Sequence, residues 1–163
     1  MSQIFISVGS NVEREKHINA GVAALHQHFS DIRLSTVYES EAVGFEGSHF
    51  YNLVVAANTQ KDIAEVVALL KAIEDDNGRI RGDKKFAPRT LDLDLLLYDD
   101  AVCQSPVELP REEIKHNAFV LLPLSELAAD LYHPETKQTY VKMWDELNSQ
   151  QKLWPVNFEW KLL

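Results

Sequence analysis

The chain has 163 residues, of which 45% are hydrophobic, so we expect residues 1–163 to form a single domain with a sizeable core. Its formal net charge of -9 argues against general nucleic-acid binding, which needs a basic surface that displaces counterions from phosphates. The sequence has one cysteine, no secretion signal and no apolar run near the ~20 residues that span a bilayer, so it predicts a cytoplasmic protein without membrane contacts.

The N-terminal segment has the pattern of a strand followed by a helix. A period of two at Ile4, Ile6 and Val8 predicts a half-buried strand. Ser10 and Glu13 fit a capping box, in which the two side chains satisfy free backbone N–H groups at a helix start. The amphipathic helix that we expect to follow carries apolar residues at helical spacing, namely Ile18, Val22, Leu25 and Phe29.

Two further strands and a second helix follow in the same way. Residues 32–38 resume the period of two, and residues 52–57 indicate a more deeply buried strand. The second helix is predicted to end near Asn77 and Gly78, residue types that favour a left-handed C-terminal cap. Its apolar positions are Ile63, Val66, Val67, Leu70 and Ile73.

With the apolar strand that begins near Leu91, the predicted order is strand, helix, strand, strand, helix, strand. This βαββαβ order is that of a ferredoxin-like α+β fold, an antiparallel sheet with two helices on one face. We expect the other face of the sheet to be free. A connection with Pro106 and Pro110 then leads to a C-terminal helical extension, whose apolar residues include Leu121, Leu124, Leu127 and Leu131.

A basic loop followed by two carboxylates is the main chemical feature of the sequence. The loop carries five basic residues and a single acid; the basic residues are Arg79, Arg81, Lys84, Lys85 and Arg89. On the strand that follows, Asp92 and Asp94 would share one face with Cα atoms ~6.6 Å apart, opposite a face filled by Leu91, Leu93, Leu95 and Leu97. A lone Asp-x-Asp is more often solvated on an exposed sheet face. Beside a basic loop, the pair suits Mg²⁺ bound together with a polyphosphate.

Residues 87–94, Ala-Pro-Arg-Thr-Leu-Asp-Leu-Asp, together with Gly-Arg-Ile-Arg at 78–81, closely resemble the signature of the 6-hydroxymethyl-7,8-dihydropterin pyrophosphokinase family of folate biosynthesis. Residues 8–11, 50–52 and 119–124 also match segments of that family, so the resemblance covers nearly the whole chain. It implies an Mg²⁺-dependent enzyme that transfers the β,γ-diphosphoryl group of ATP to the pterin hydroxymethyl group and releases AMP. We expect a monomer whose partners are these small molecules.

The resemblance also implies the residues of the phosphoryl-transfer site. Asp92 and Asp94 would hold two Mg²⁺ ions between the nucleotide and the pterin hydroxyl. Arg79 and Arg89 would close over the phosphates as catalytic residues, because guanidinium groups bind phosphate through paired hydrogen bonds. The implied contacts to the nucleotide are Lys71, Glu74, Arg81, Phe86, Arg89, Leu95 and Arg111.

For the pterin, the resemblance implies a sandwich of the flat ring between Phe50 and Phe119. Asn52 would pair with the polar edge of the ring, since an amide offers both donors and an acceptor. Ser40 and Val43 complete the implied substrate contacts. Without the resemblance, ordinary core packing would be the simpler interpretation of the two phenylalanines.

The sequence departs from the family pattern mainly on the nucleotide side. Pro106, Glu108, Glu112 and Asn117 stand where the family usually has polar or basic contacts, and Phe86 replaces a usual tryptophan. Added acids would repel a polyphosphate, so we predict weaker ATP binding than is typical. These departures leave open a paralogue that binds a pterin-like ligand with weak or altered nucleotide use.

Two other classes agree less well with the sequence. An RNA-binding module on the same fold would need a basic, aromatic sheet surface, which the acidic composition does not favour. A nucleotidyltransferase also combines Gly-Ser with Asp-x-Asp, but Ser10 and Asp92 are far apart in this chain.

Overall fold

The computed structural model describes residues 1–41, 49–78 and 90–161. In these residues, a six-stranded antiparallel sheet carries helices on both faces. No helix in the described part of the chain is both long and apolar enough to cross a membrane. The elements are β1 (Ser2–Ser10), α1 (Arg14–His28), β2 (Ser30–Leu34), β3 (Tyr38–Ser40), β4 (Phe50–Thr59), α2 (Ile63–Asp76), β5 (Asp92–Tyr98), a 3₁₀ helix (Glu112–Lys115), α3 (Ala118–Ala128), α4 (Tyr140–Glu146) and β6 (Leu153–Pro155).

The strand order confirms the predicted fold class. The sheet runs β5-β1-β4-β3-β6, and β2 also pairs with β4. The long central pairing of β1 with β4 extends from Ser2 opposite Thr59 to Ser10 opposite Tyr51. The fourth predicted strand therefore lies beside the first, and the third lies between the first and the second, as in a ferredoxin-like sheet.

The segment predicted as one strand over residues 32–38 forms two short strands, β2 and β3. Ser35 lies between them, and its N–H donates to the carbonyl of Val54 at 3.0 Å. The N–H of Val54 in turn donates to the hydroxyl of Ser35 at 2.9 Å. The hydroxyl of Ser35 thus accepts a hydrogen bond that a backbone carbonyl would accept in a regular strand. The predicted strand is interrupted at Ser35, but the backbone N–H of Val54 on β4 still has a partner.

A capping box is found at the start of α2 and not at the start of α1, where it was predicted. Ser10 belongs to β1, and Glu13, the residue before α1, has a φ of 43° and makes no side-chain cap, so the predicted capping box is wrong. The box occurs instead at α2, where the Asp62 side chain accepts from the N–H of Glu65 and the Glu65 side chain accepts from the N–H of Asp62. The end of α2 follows the prediction, with Gly78 at a φ of 81°.

Both faces of the sheet are covered, which corrects the expectation of a free face. Helices α1 and α2 pack on one face, over Ile4, Ile6 and Val8 of β1. Helices α3 and α4 pack on the other, over an apolar group that includes Phe5 and Val54. Without α3 and α4, the apolar side chains of this face would be exposed to water. The C-terminal extension is therefore part of the hydrophobic core.

A bulge changes which face the end of β5 presents. Phe5 pairs with Leu97 and Ile6 pairs with Leu95, so Leu96 is an extra residue on β5. One inserted residue reverses the alternation of side chains, and Leu96 and Leu97 are both buried beside Phe5. The prediction that Leu97 shares a face with Leu95 is therefore wrong. The bulge follows the two aspartates of β5, which keep the shared face that was predicted.

Candidate active site

A row of residues crosses the sheet at the end where β1 leads into α1. Asp92 of β5 pairs with Gly9 of β1, and Gly9 pairs on its other side with Asn52 of β4. Opposed residues point to the same face of a sheet, and two strand spacings of ~4.8 Å place the Cα atoms of Asp92 and Asn52 about 10 Å apart. The predicted metal-binding carboxylate and the predicted pterin amide thus lie on one face, separated by a glycine.

Gly9 is a site residue to which the sequence analysis gave no role. A Cβ atom built on Gly9 would lie 2.9 Å from Oδ1 of Asn52, closer than such contacts normally are. The Asn52 amide therefore occupies the space that a side chain at position 9 would need. A glycine inside a strand often marks a close approach of another group, so this signal was present in the sequence.

The Asn52 amide is held in place by a second predicted pterin residue. Asn52 is buried, and its Nδ2 donates to the hydroxyl oxygen of Ser40 at 2.9 Å. Ser40 is itself buried at the end of β3 and pairs with Phe50. Phe119 is half-buried in the first turn of α3 and packs against the core on this face of the sheet.

Tyr38 extends the row onto β3, directly opposite Asn52. Its hydroxyl donates to the Glu126 carboxylate on α3, and the other carboxylate oxygen accepts from the N–H of Thr36 at 3.1 Å. Burial raises the pKa of Tyr38 above its ordinary value, and the adjacent Glu126 carboxylate raises it further. Tyr38 therefore remains a protonated donor that ties α3 to the sheet beside Asn52.

A cleft of about 280 Å³ opens beside the edge strand β5. Its walls come from α2, from β5 and from the connection that follows β5. The predicted site residues in its lining are Lys71, Glu74, Asp92, Asp94, Leu95 and Arg111. Every described residue that was predicted to contact metal or nucleotide thus borders one cavity.

Arg111 closes one side of this cleft. Its backbone N–H donates to the Leu96 carbonyl at 3.0 Å, which fixes the connection against the edge of β5. Its Nη2 donates to Oδ1 of Asp94 at 3.2 Å, and its Nε lies 3.8 Å from a carboxylate oxygen of Glu113. That Nε is buried and has no hydrogen-bond partner among the described residues, so the guanidinium retains a donor that could bind a further acceptor.

Glu74 has a structural contact that the sequence did not predict. It is 5% exposed, and its Oε2 accepts the backbone N–H of Leu93 at 2.7 Å. An edge strand leaves such groups unpaired unless another element covers them. Glu74 therefore holds α2 against the strand segment that carries the two aspartates, and its contact with a nucleotide stays a prediction.

Other predicted features lie outside the cleft or outside the described residues. Glu108 and Glu112 are exposed and are not among the described residues that line the cleft, and Glu112 pairs with Lys115 at 3.6 Å. Weak ATP binding caused by these acids therefore stays a prediction. Five predicted site residues fall outside the described part of the chain, namely Val43, Arg79, Arg81, Phe86 and Arg89.

Comparison with known proteins identifies the family of this chain. Residues 5–129 match the family model described as 7,8-dihydro-6-hydroxymethylpterin-pyrophosphokinase. The chain belongs to this family. Its residues beyond 129, which include α4 and β6, lie outside the match to the family model.

Two bacterial relatives named 2-amino-4-hydroxy-6-hydroxymethyldihydropteridine pyrophosphokinase are similar over most of their length. The protein of Bacillus subtilis is 32% identical over 151 residues, covering 87% of this chain and 90% of the relative. That of Aquifex aeolicus is 33% identical over 137 residues, covering 82% and 85%. A solved structure of HPPK-DHPS from Plasmodium falciparum superposes with a TM-score of 0.72 at 12% identity, over 89% of this chain and 44% of that longer chain, which supports the fold alone.

Proposed function

We propose that this protein transfers the β,γ-diphosphoryl group of ATP to the hydroxymethyl group of 6-hydroxymethyl-7,8-dihydropterin and releases AMP, a step of folate biosynthesis. One observation carries the proposal: the cleft beside β5 gathers the described residues that were predicted to bind metal and nucleotide, while Asn52 lies on the same sheet face as Asp92. Membership of the pyrophosphokinase family supports it.

The donor set of the cleft fits Mg²⁺, and we propose that two ions bind there with ATP. Among the described residues, no group of three or more His, Cys, Asp and Glu side chains is arranged to hold a metal. Two carboxylates, Asp92 and Asp94, border the cleft, and Mg²⁺ commonly combines one or two carboxylates with substrate phosphates. When bound, such ions neutralise charge on the attacking and leaving oxygens.

The residues of the chain would contribute mainly by positioning the two substrates. Asn52 is already oriented by Ser40, so its amide can pair with the pterin edge without losing side-chain freedom on binding. Lys71 and Arg111 place positive charge on two sides of the cleft, where they would balance the phosphates. Phe119, half-buried at the start of α3, supplies an aromatic surface on the same face of the sheet.

The direct test is an assay of AMP release from ATP. We expect AMP and a diphosphorylated pterin only when Mg²⁺ and the dihydropterin are both present, with chelation of Mg²⁺ as the negative control. Release of ADP instead would contradict diphosphoryl transfer. Pterin binding by calorimetry without AMP release would favour the paralogue with altered nucleotide use.

Gly9→Ala is expected to weaken pterin binding about 2- to 10-fold, because the new methyl group would force the Asn52 amide off its rotamer at ~0.5–1.5 kcal/mol. Calorimetry with the dihydropterin measures this change. Binding of Mg²⁺-ATP to the same variant serves as the internal control and should remain unchanged. Unaltered pterin affinity would show that the orientation of Asn52 does not matter for binding.

Arg111→Met is expected to change metal and nucleotide binding in opposite directions. Without nucleotide, Mn²⁺ should bind more tightly, because Asp94 loses the guanidinium that competes for its oxygen. Mg²⁺-ATP should bind about 10- to 150-fold more weakly, the usual range for a lost charged hydrogen bond of ~1.5–3 kcal/mol. Water-proton relaxation measures the first effect, and calorimetry measures the second.

The matched control for Arg111 is Arg33→Met, which removes an exposed arginine from β2, a strand that pairs with β4 and not with the edge strand β5. Neither metal nor nucleotide affinity should change in that variant. Weaker Mn²⁺ binding by Arg111→Met in the absence of ATP would refute competition between Arg111 and the metal.

A further inference from the structure

We propose that residues 151–156, called here the strap, join the two walls of the pterin pocket and set the distance between them. Gln151 and Trp154 are then positioning residues for pterin binding. This inference rests on the function proposed above, because the walls are those of the proposed pocket. The strap lies beyond the residues that match the family model.

The first wall is the start of α3, which carries Phe119. The side-chain Oε1 of Gln151 accepts the backbone N–H of Ala118 at 2.5 Å, and its Nε2 donates to Oδ1 of Asn117 at 3.3 Å. The first N–H groups of a helix have no partner within the helix, and Asn117 makes no side-chain cap of its own. The cap of α3 therefore comes from the strap, one residue before the aromatic ring that would face the pterin.

The second wall is the end of β3, which carries Ser40. Strand β6 pairs with β3 so that Leu153 lies opposite Ser40 and Trp154 lies opposite Glu39. The N–H of Glu41 also donates to the carbonyl of Lys152 at 3.4 Å. Because Ser40 accepts the hydrogen bond that orients Asn52, the strap acts on the pterin edge contact through the backbone of β3.

Trp154 adds a side-chain contact to this pairing. Its indole Nε1 donates to Oε1 of Glu39 at 3.1 Å, and its ring meets the His49 ring edge to face at 5.6 Å between centroids. The second oxygen of Glu39 accepts from Arg14 at 2.8 Å, and the same guanidinium donates to the carbonyl of His49. This hydrogen bond from Arg14 holds the pKa of Glu39 below its ordinary value, so Glu39 stays charged as the centre of the cluster.

The short length of the strap limits the distance between its contact with α3, made by Gln151, and its contact with β3, made by Trp154. Residues 151 to 154 can span at most ~10 Å when extended, so the start of α3 and the end of β3 cannot separate while both contacts hold. Strands β5 and β6 lie at opposite edges of the sheet, which places the strap away from the cleft beside β5. Loss of the strap contacts should therefore weaken pterin binding selectively, whereas general destabilisation would affect both ligands.

The test compares full-length Gln151→Ala, Gln151→Glu and Gln150→Ala by calorimetry with the dihydropterin and with Mg²⁺-ATP. Gln151→Ala should weaken pterin binding about fivefold, the effect of a lost helix cap, and leave nucleotide binding unchanged. Gln151→Glu should restore near-normal pterin affinity, because a carboxylate is favoured at a helix start. Gln150 is exposed and adjacent, so Gln150→Ala is the matched control.

Asn52→Ala separates failure of this inference from failure of the proposed pocket. If Asn52→Ala leaves pterin affinity unchanged, the pterin binds elsewhere. The proposed pocket and the inference about the strap then both fail. If Asn52→Ala weakens pterin binding but Gln151→Ala does not, or if Gln151→Ala weakens both ligands equally, the strap is only structural.

If Gln151→Ala does not fold, Trp154→Phe provides the second test, since it keeps an aromatic ring, although a smaller one, and removes the donor to Glu39. It should weaken pterin binding selectively. An unchanged pterin affinity in that variant would overturn the inference.

Discussion

Asp94→Asn is expected to lower the rate of diphosphoryl transfer by at least about 100-fold, the lower end of the cost of losing one charge-stabilising group. Asp94 lies at the rim of the cleft and its side chain is 54% exposed, so its carboxylate is accessible to a metal ion and to phosphates. Asparagine keeps the shape but is a weaker ligand for a hard cation. The free energy of unfolding should change by less than ~0.5 kcal/mol, as for most surface substitutions.

Asp92→Asn should have a similar effect, because both carboxylates line the cleft. The matched control is Asp100→Asn, which removes an exposed carboxylate just beyond the end of β5 and outside the described lining of the cleft. Steady-state AMP release and thermal unfolding should be measured for all three variants. Near-normal turnover in Asp94→Asn would refute its assignment as a metal ligand.

Asn52→Ala is expected to weaken binding of the dihydropterin about 5- to 150-fold, because ~1–3 kcal/mol is lost when a buried polar edge has no partner. Asn52 is buried and already oriented by Ser40, so the loss should appear in pterin affinity with little change in Mg²⁺-ATP affinity. Calorimetry with each ligand separates the two effects.

Asn58→Ala is a suitable control for Asn52, since it removes an amide from the far end of the same strand, where Asn58 donates to Asp31. It should leave pterin binding unchanged. Equal losses in the two variants would mean that β4 was disturbed as a whole and that Asn52 has no specific contact with the pterin.

Much of the fold was predictable because its signals are local. Helical spacing of apolar residues located α1 and α2, and apolar strand patterns located β1, β4 and β5. The resulting order of elements implied the observed sheet. The Asp92 and Asp94 pair was also predictable, since i and i+2 on a regular strand must share a face. The prediction from alternating side chains was wrong at Leu97, because β5 has a bulge at Leu96 where it pairs with β1. No local sequence pattern indicates this bulge.

The surroundings of the site were less predictable, because they depend on residues far apart in the chain. The Glu74 contact with Leu93 and the Arg111 contact with Asp94 join three segments around one cleft. Glu74 and Arg111 were assigned to nucleotide binding by resemblance, but their partners in the protein were not foreseen. A glycine inside β1 indicated that some group comes close to it, but only the pairing of β1 with β4 showed that this group is the Asn52 amide.

The amino-acid sequence by itself determined the type and order of the main elements, the shared face of the two aspartates and the family, because periodicity and short motifs act over a few residues. Only the tertiary structure decided that α3 and α4 cover the second face of the sheet, that one cleft collects the residues predicted to bind metal and nucleotide, and that Gln151 caps α3 from 33 positions further along the chain. The physical reason is that apolar burial and hydrogen-bond pairing are satisfied over the whole molecule, so each partner is chosen by packing and not by proximity in sequence.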